Sequence, residues 1–229
     1  MSARPFFSRK TFAFLQDLAE NNDREWFQAN KKSYEEDVKE PALRFILDFG
    51  PHLKKISPHF KADPRGNGGS LFRIYRDTRF SKDKSPYKTH TGIQFRHEVG
   101  KDAHAPGYYL HVEPGGCFFG LGTWRPDGKA LRKIREGMVE DVPGWRRAVQ
   151  GRAFKNRLEL TGDSLLRPPR GFDPEHPLIE DLKRKDFVAM APLTQAQVTD
   201  SDFMKLFIVL CKAGTPLMAF LCKTLEIEF

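Results

Sequence analysis

YYLHVEPGGCFFGLGTW, residues 108–124, reads as two strands joined by a tight turn. Apolar and polar side chains alternate on both sides of Pro114-Gly115-Gly116, whose glycines supply the positive φ that a hairpin turn requires. Because successive side chains point to opposite faces, Tyr108–Glu113 presents Tyr108, Leu110 and Val112 to a core and Tyr109, His111 and Glu113 to the other side. The return strand, Cys117–Trp124, buries Cys117, Phe119 and Leu121 and leaves Phe118, Gly120 and Gly122 opposite.

Two more strands are expected upstream. Thr89–His97 divides into a core face of Ile93 and Phe95 and an outer face of His90, Gly92, Gln94 and Arg96. Ser70–Arg76 divides into Phe72 and Ile74 inside and Arg73 and Tyr75 outside. The glycine-rich run 63–69 before them marks the change from a helical to an alternating period. Short links between consecutive strands favour antiparallel pairing.

Outside this block the pattern is helical. Phe14, Leu15 and Leu18 lie on one face, and Asn21-Asn22-Asp23 ends that helix and caps the next. The second helix carries Trp26, Phe27, Asn30 and Tyr34, and Pro41 fits the first turn of a third with Phe45, Ile46, Phe49 and Leu53. Downstream, helices are expected over Pro126–Glu140 and around Trp145, then a proline-rich irregular stretch, 167–177, and a short helix from Pro177. An added strand over Asp186–Ala191 and two helices, Ser201–Ala213 and Pro216–Glu226, close the chain. The fold class is α+β: a mainly antiparallel sheet of about four to six strands packed against N-terminal and C-terminal helices, in a single domain over 1–229. Its parts are N-terminal helices about 9–57, a sheet core about 70–124, and helices with the proline-rich segment over 126–229.

With 39% hydrophobic residues and twenty phenylalanines in 229, the chain has the apolar bulk for a packed core. The N-terminal stretch has basic residues scattered through it and lacks the run of a secretory signal. Phe203–Cys222 is broken by Lys205, Lys212 and Pro216, so no membrane span is expected. Three cysteines without metal-like spacing suit buried thiols and a cytoplasmic location.

The net charge is +8, and charge is concentrated in Arg73–His90. Six basic residues (Arg73, Arg76, Arg79, Lys82, Lys84, Lys88) against two acids (Asp77, Asp83) give that segment +4. Arginine forks, a lysine point charge and aromatic rings suit a small phosphate- or nucleotide-like anion. The ligand-binding candidates are Arg73, Tyr75, Arg76, Arg79, Lys88, Tyr109 and Trp124. Arg76 falls on the core side, where it needs a carboxylate such as Asp77 or Asp83, or an anionic ligand; the ion pair is the simpler reading.

For catalysis the candidates are His90, His111 and Glu113, one imidazole and one carboxylate on a single strand face with a second imidazole on its neighbour. The set is chemically competent for zinc or iron, but the spacing is common by chance, HExxH is absent, and hydrogen-bonded or solvated histidines are the favoured reading, so neither metal nor cofactor is assigned. His176, in Pro-Glu-His-Pro, reads as a cap for the helix that follows. Nucleic acid is an alternative partner, through the basic loop and the Lys129–Arg135 helix face, without a recognised motif.

NNDREWFQANKKSYE (21–35), FRIYRDTRFSKDKSPYKTH (72–90), YYLHVEP (108–114) and RGFDPEHPLIEDLKRKDF (170–187) together resemble the uncharacterised domain-of-unknown-function family 2461. The resemblance implies a single-domain architecture of this size and carries no activity, substrate or catalytic residue with it.

Overall fold

The structure, a computed structural model, describes residues 4–66, 68–100 and 105–229. The chain enters through α1 (Arg9–Glu20) and α2 (Arg24–Ala29), the latter started by the Asp23 carboxylate, which accepts the Trp26 N–H at 2.9 Å. α3 (Lys31–Tyr34) then passes through a π-helical turn, Glu35–Lys39, straight into α4 (Glu40–Ile56). Pro41 therefore lies within a continuous helical rod, not at the start of a separate helix. Proline has no N–H for the Asp37 carbonyl, and the buried Thr11 hydroxyl of α1 donates to that oxygen at 2.7 Å instead.

Six strands follow: β1 (Phe60–Lys61), β2 (Thr91–His97), β3 (Gly107–Val112), β4 (Phe118–Thr123), β5 (Glu159–Thr161) and β6 (Phe187–Pro192). They form one sheet in the order β1-β2-β3-β4-β6-β5, with every neighbouring pair antiparallel. Between β4 and β5 run α5 (Gly128–Glu140), α6 (Val142–Gln150) and α7 (Arg152–Lys155); α8 (Ile179–Leu182) precedes β6, and α9 (Gln195–Val198) and α10 (Phe203–Thr224) end the fold.

The two expected C-terminal helices are one. Pro216 sits inside α10, and the carbonyl it deprives of a donor belongs to Lys212, which is exposed and can be solvated. By length and composition α10 is apolar enough to cross a membrane, yet 56% of its most apolar window is buried, and it lies against the sheet. Phe207 of α10 meets Phe45 and Phe49 of α4 edge-on at 5.1 and 4.9 Å, and Phe119 of β4 at 5.2 Å. Gly214 brings α10 onto β4 so closely that a Cβ there would stand 1.9 Å from Leu121 Cδ2. Ile93, Phe95, Tyr108, Leu110, Val112, Phe119 and Leu121 fill this core, and among the described residues no helix layer covers the other face of the sheet, whose Gln94, Tyr109, His111 and Phe118 stay partly exposed.

The strand expected over Ser70–Arg76 does not form. Only isolated bridges mark it, Leu71 to Ile93 and Tyr75 to Tyr87. Leu71 extends the edge of β2 beyond β1 and joins the main core, whereas Ile74 turns into a second, smaller core with Phe14, Leu15, Leu18, Phe27, Tyr34, Val38 and Tyr87. Two cores three residues apart cannot be reached by a period of two, and the intervening Phe72, expected inside, lies over the open face of the sheet against Tyr109 at 6.0 Å.

The glycines of β4 differ in what they do. Gly122 has φ +116° and an added Cβ would meet the Phe187 carbonyl oxygen at 2.1 Å, whereas around Gly120 nothing lies nearer than 3.9 Å. Gly122→Ala is expected to cost about 3 kcal/mol in denaturant unfolding and Gly120→Ala less than ~1 kcal/mol. Equal losses would mean that β4 relaxes freely at Gly122.

Candidate functional site

β3 sets the geometry of the open face. Its core residues point at α10, so Tyr109 and His111 project the other way, with Glu113 immediately beyond the strand end. His111 is held on both ring nitrogens: Nδ1 lies 3.0 Å from the Tyr109 hydroxyl and Nε2 3.1 Å from Glu113 Oε2. Thr89 Oγ1 donates to the second carboxylate oxygen at 3.2 Å. The His111 ring is sandwiched between Phe118 at 4.6 Å, nearly parallel, and His90 at 4.3 Å. His90 has no hydrogen-bond partner on either nitrogen among the described residues. With Nδ1 accepting from Tyr109 and Nε2–H donating to Glu113, the row Tyr109–His111–Glu113 is a continuous path for a proton.

The other wall is the segment 72–90, a small ribbon whose arms are joined by Arg76 N–H to Pro86 O and Lys88 N–H to Ile74 O. Its position comes from far away in sequence. Asn22 forms two 3.0 Å hydrogen bonds with the backbone of Tyr87, accepting its N–H and donating to its carbonyl, while the Tyr87 ring stacks on Phe27 at 4.1 Å. Those contacts fix Lys88, Thr89 and His90 as the chain enters β2.

Phe72 lies on this wall, and its ring has Lys88 Nζ at 5.8 Å and the Arg96 guanidinium at 5.6 Å from its centre. Gly92 is the floor beneath: a Cβ there would strike the Tyr109 hydroxyl at 2.7 Å and Phe72 Cδ2 at 3.0 Å, so this glycine makes room for rings rather than for a ligand. At Gly120 a Cβ would fit in ordinary contact, its nearest neighbours 3.9 Å away. Lys88 donates to the Arg73 carbonyl at 2.6 Å and Arg96 to Gln94 Oε1 at 3.0 Å; neither these two nor Arg73 has an ion-pair partner among the described residues. Burial, and then the neighbouring Arg73 charge, lower the Lys88 pKa. Burial, followed by His111 and Lys88, lowers His90 to about 4 despite Glu113, and burial with Glu113 raises Tyr109 to about 12. At neutral pH the face thus holds a neutral His90 and a protonated Tyr109 beside two cations.

The candidates read from sequence fall into two groups. His90, His111, Glu113, Tyr109 and Lys88 converge on the open face, with exposed Arg73 at its rim. Tyr75 and Arg76 instead line a separate hollow of about 390 Å³ with Arg24 and Gln28 of α2. Arg76 pairs with Asp83, and Arg79 forms a two-pronged pair with Asp77, whose carboxyl is held down at about 2 chiefly by those hydrogen bonds. Trp124 follows β4 at the end where Gly122 faces Gly107, some 20 Å along the strand from Phe118, and is covered by Arg125 at 4.7 Å. His176 accepts the Leu178 N–H at 3.1 Å within the turn before α8, whose own N-cap is Leu178 without a side-chain hydrogen bond, so it does not cap the helix as expected. Phe72 was assigned to the wrong face, and Asn22 has a long-range role that no local pattern signals. Arg96 and Gln94 do lie on the predicted outer face.

The chain belongs to the family of conserved hypothetical proteins designated DUF2461, whose model matches residues 10–220. No curated protein and no solved structure matches it.

Unfolded, His90 takes up a proton near 6.5; folded, near 4. The unfolded state holds more protons across that window, so its contribution makes stability fall as pH drops from 6.5 towards 4. NMR titration of the His90 ring is expected to give a midpoint about two units below that of an exposed histidine, and His90→Gln to flatten the loss of stability over the same window. A midpoint near 6.5 would contradict the desolvated placement.

Proposed function

We propose that the protein binds a small anionic ligand, phosphate- or nucleotide-like, on the open face of the sheet. The observation that carries this reading is the pair Lys88 and Arg96 flanking Phe72, two cations directed at one aromatic surface without a carboxylate between them among the described residues. Desolvated positive charge is costly unless it is paired, and an anion placed between these groups supplies the missing partner. Phe72, Tyr109 and Phe118 offer flat apolar surface beside the charge, as a base or sugar requires. A hollow of about 240 Å³, lined by Gln94 and Arg96 together with Asp63, Gly69 and Ser70, adjoins the surface at one end.

A second reading, an enzyme acting on that anion, is favoured by the convergence of His90, His111 and Glu113, with the Lys88 charge acting on His90. An extended nucleic-acid contact is favoured less. On α5, Arg132 pairs with Glu136, Lys133 pairs with Glu226, and Arg135 is buried with its guanidinium on the Arg184 carbonyl.

A thermal-shift panel of inorganic phosphate, pyrophosphate, sugar phosphates and nucleotides, run in chelator at low salt, tests the proposal. At least one compound is expected to raise the melting temperature, by an amount that shrinks as salt rises. Lys88→Met with Arg96→Gln is expected to weaken that ligand about 100-fold or more, from roughly 1.5–3 kcal/mol per charged hydrogen bond. A panel without any salt-sensitive shift, or a shift retained in the double variant, would remove the proposal.

A further inference from the structure

We propose that His90, His111 and Glu113 form a binding site for a divalent first-row transition metal ion, directly beside the surface assigned above to an anion. The inference goes beyond that reading and does not depend on it.

Three donors of suitable type stand together before any ion is present: one nitrogen from each imidazole and a carboxylate oxygen lie within 4.8 Å of one another. In a tetrahedral site with bonds near 2.0–2.1 Å, donors are separated by roughly 3.3 Å, so the 3.1 Å from His111 Nε2 to Glu113 Oε2 is already at ligand spacing. Closing His90 by about 1.5 Å completes the set, a side-chain adjustment that its lack of hydrogen bonds leaves free. Two nitrogens and one carboxylate oxygen suit zinc, iron(II), cobalt(II) or manganese(II), and the polar side of the sheet leaves further coordination positions open.

The surroundings support each ligand separately. With Nε2 on a metal, the His111 proton passes to Nδ1 and the Tyr109 hydroxyl, 3.0 Å away, turns from donor to acceptor, giving the second partner that ligating histidines ordinarily have. Phe118 against the ring fixes its plane. Thr89 turns the carboxylate through its other oxygen, and the absence of a side chain at Gly116 leaves room for Glu113, since a Cβ there would lie 3.1 Å from Oε2. The charge of the ion, set next to Lys88 and Arg96, adds to their attraction for an anion.

Full-length protein stripped with chelator and titrated with zinc or cobalt chloride by calorimetry tests the site. Wild type is expected to bind one equivalent, and His90→Ala and Glu113→Gln each to weaken it about 100-fold or more, with the metal-free melting temperature unchanged within a few degrees. Tyr109→Phe, a positioning change, is expected to weaken it about tenfold. His59→Ala, which alters the histidine pair at the far end of β2, is expected to leave binding intact. Absence of stoichiometric binding of zinc, cobalt, iron(II) or manganese, or binding unchanged in His90→Ala and Glu113→Gln, would overturn the proposal. Because the anion panel is run in chelator, the two results stand or fall separately.

Discussion

Everything at the candidate site depends on the two-residue period of β3. Burying Tyr108, Leu110 and Val112 under α4 and α10 forces Tyr109, His111 and Glu113 to share the opposite face. A slip of one residue would bury an imidazole and a carboxylate and expose three large apolar side chains, at a cost of several kcal/mol from burial alone. The hydrophobic core thus fixes the polar row as firmly as it fixes itself. The aromatic cluster around Phe207 strengthens this by tying α4, α10, β2 and β4 to a single packing solution.

The second wall follows a different logic. The ribbon 72–90 contributes few ladder bonds to the sheet and is held by its own small core and by Asn22. Two charges towards its tip are ion-paired, Arg79 with Asp77 and Arg76 with Asp83, while Lys84 reaches only the Thr78 carbonyl. Charges nearer the sheet are not ion-paired among the described residues: Lys88 and Arg96 meet a ring and backbone or amide oxygens.

The alternation of β2, β3 and β4 made their two faces legible, and with them His90, His111, Glu113, Tyr109 and Arg96, because period two is imposed locally. What was not legible depended on contacts remote in sequence. Pro41 and Pro216 read as helix starts because the compensations, the Thr11 hydroxyl for Asp37 and the solvated Lys212 carbonyl, lie outside any local window. Ser70–Arg76 looked like a strand because Leu71, Phe72 and Ile74 are apolar. Their three destinations, main core, open face and small core, are set by packing partners that composition does not reveal. Charge density alone likewise overstated Arg76 and Arg79, whose carboxylates are a few residues away.

Asn22 acts on a single residue, and its effect is larger than two hydrogen bonds suggest. Loops that close over ligands usually lose conformational freedom at the moment of binding, and that loss subtracts from affinity. Here the amide of Asn22 and the stack of Tyr87 on Phe27 immobilise the entry to β2 when the helices fold. The ordering entropy of Lys88, Thr89 and His90 is therefore settled during folding, before anything approaches the face.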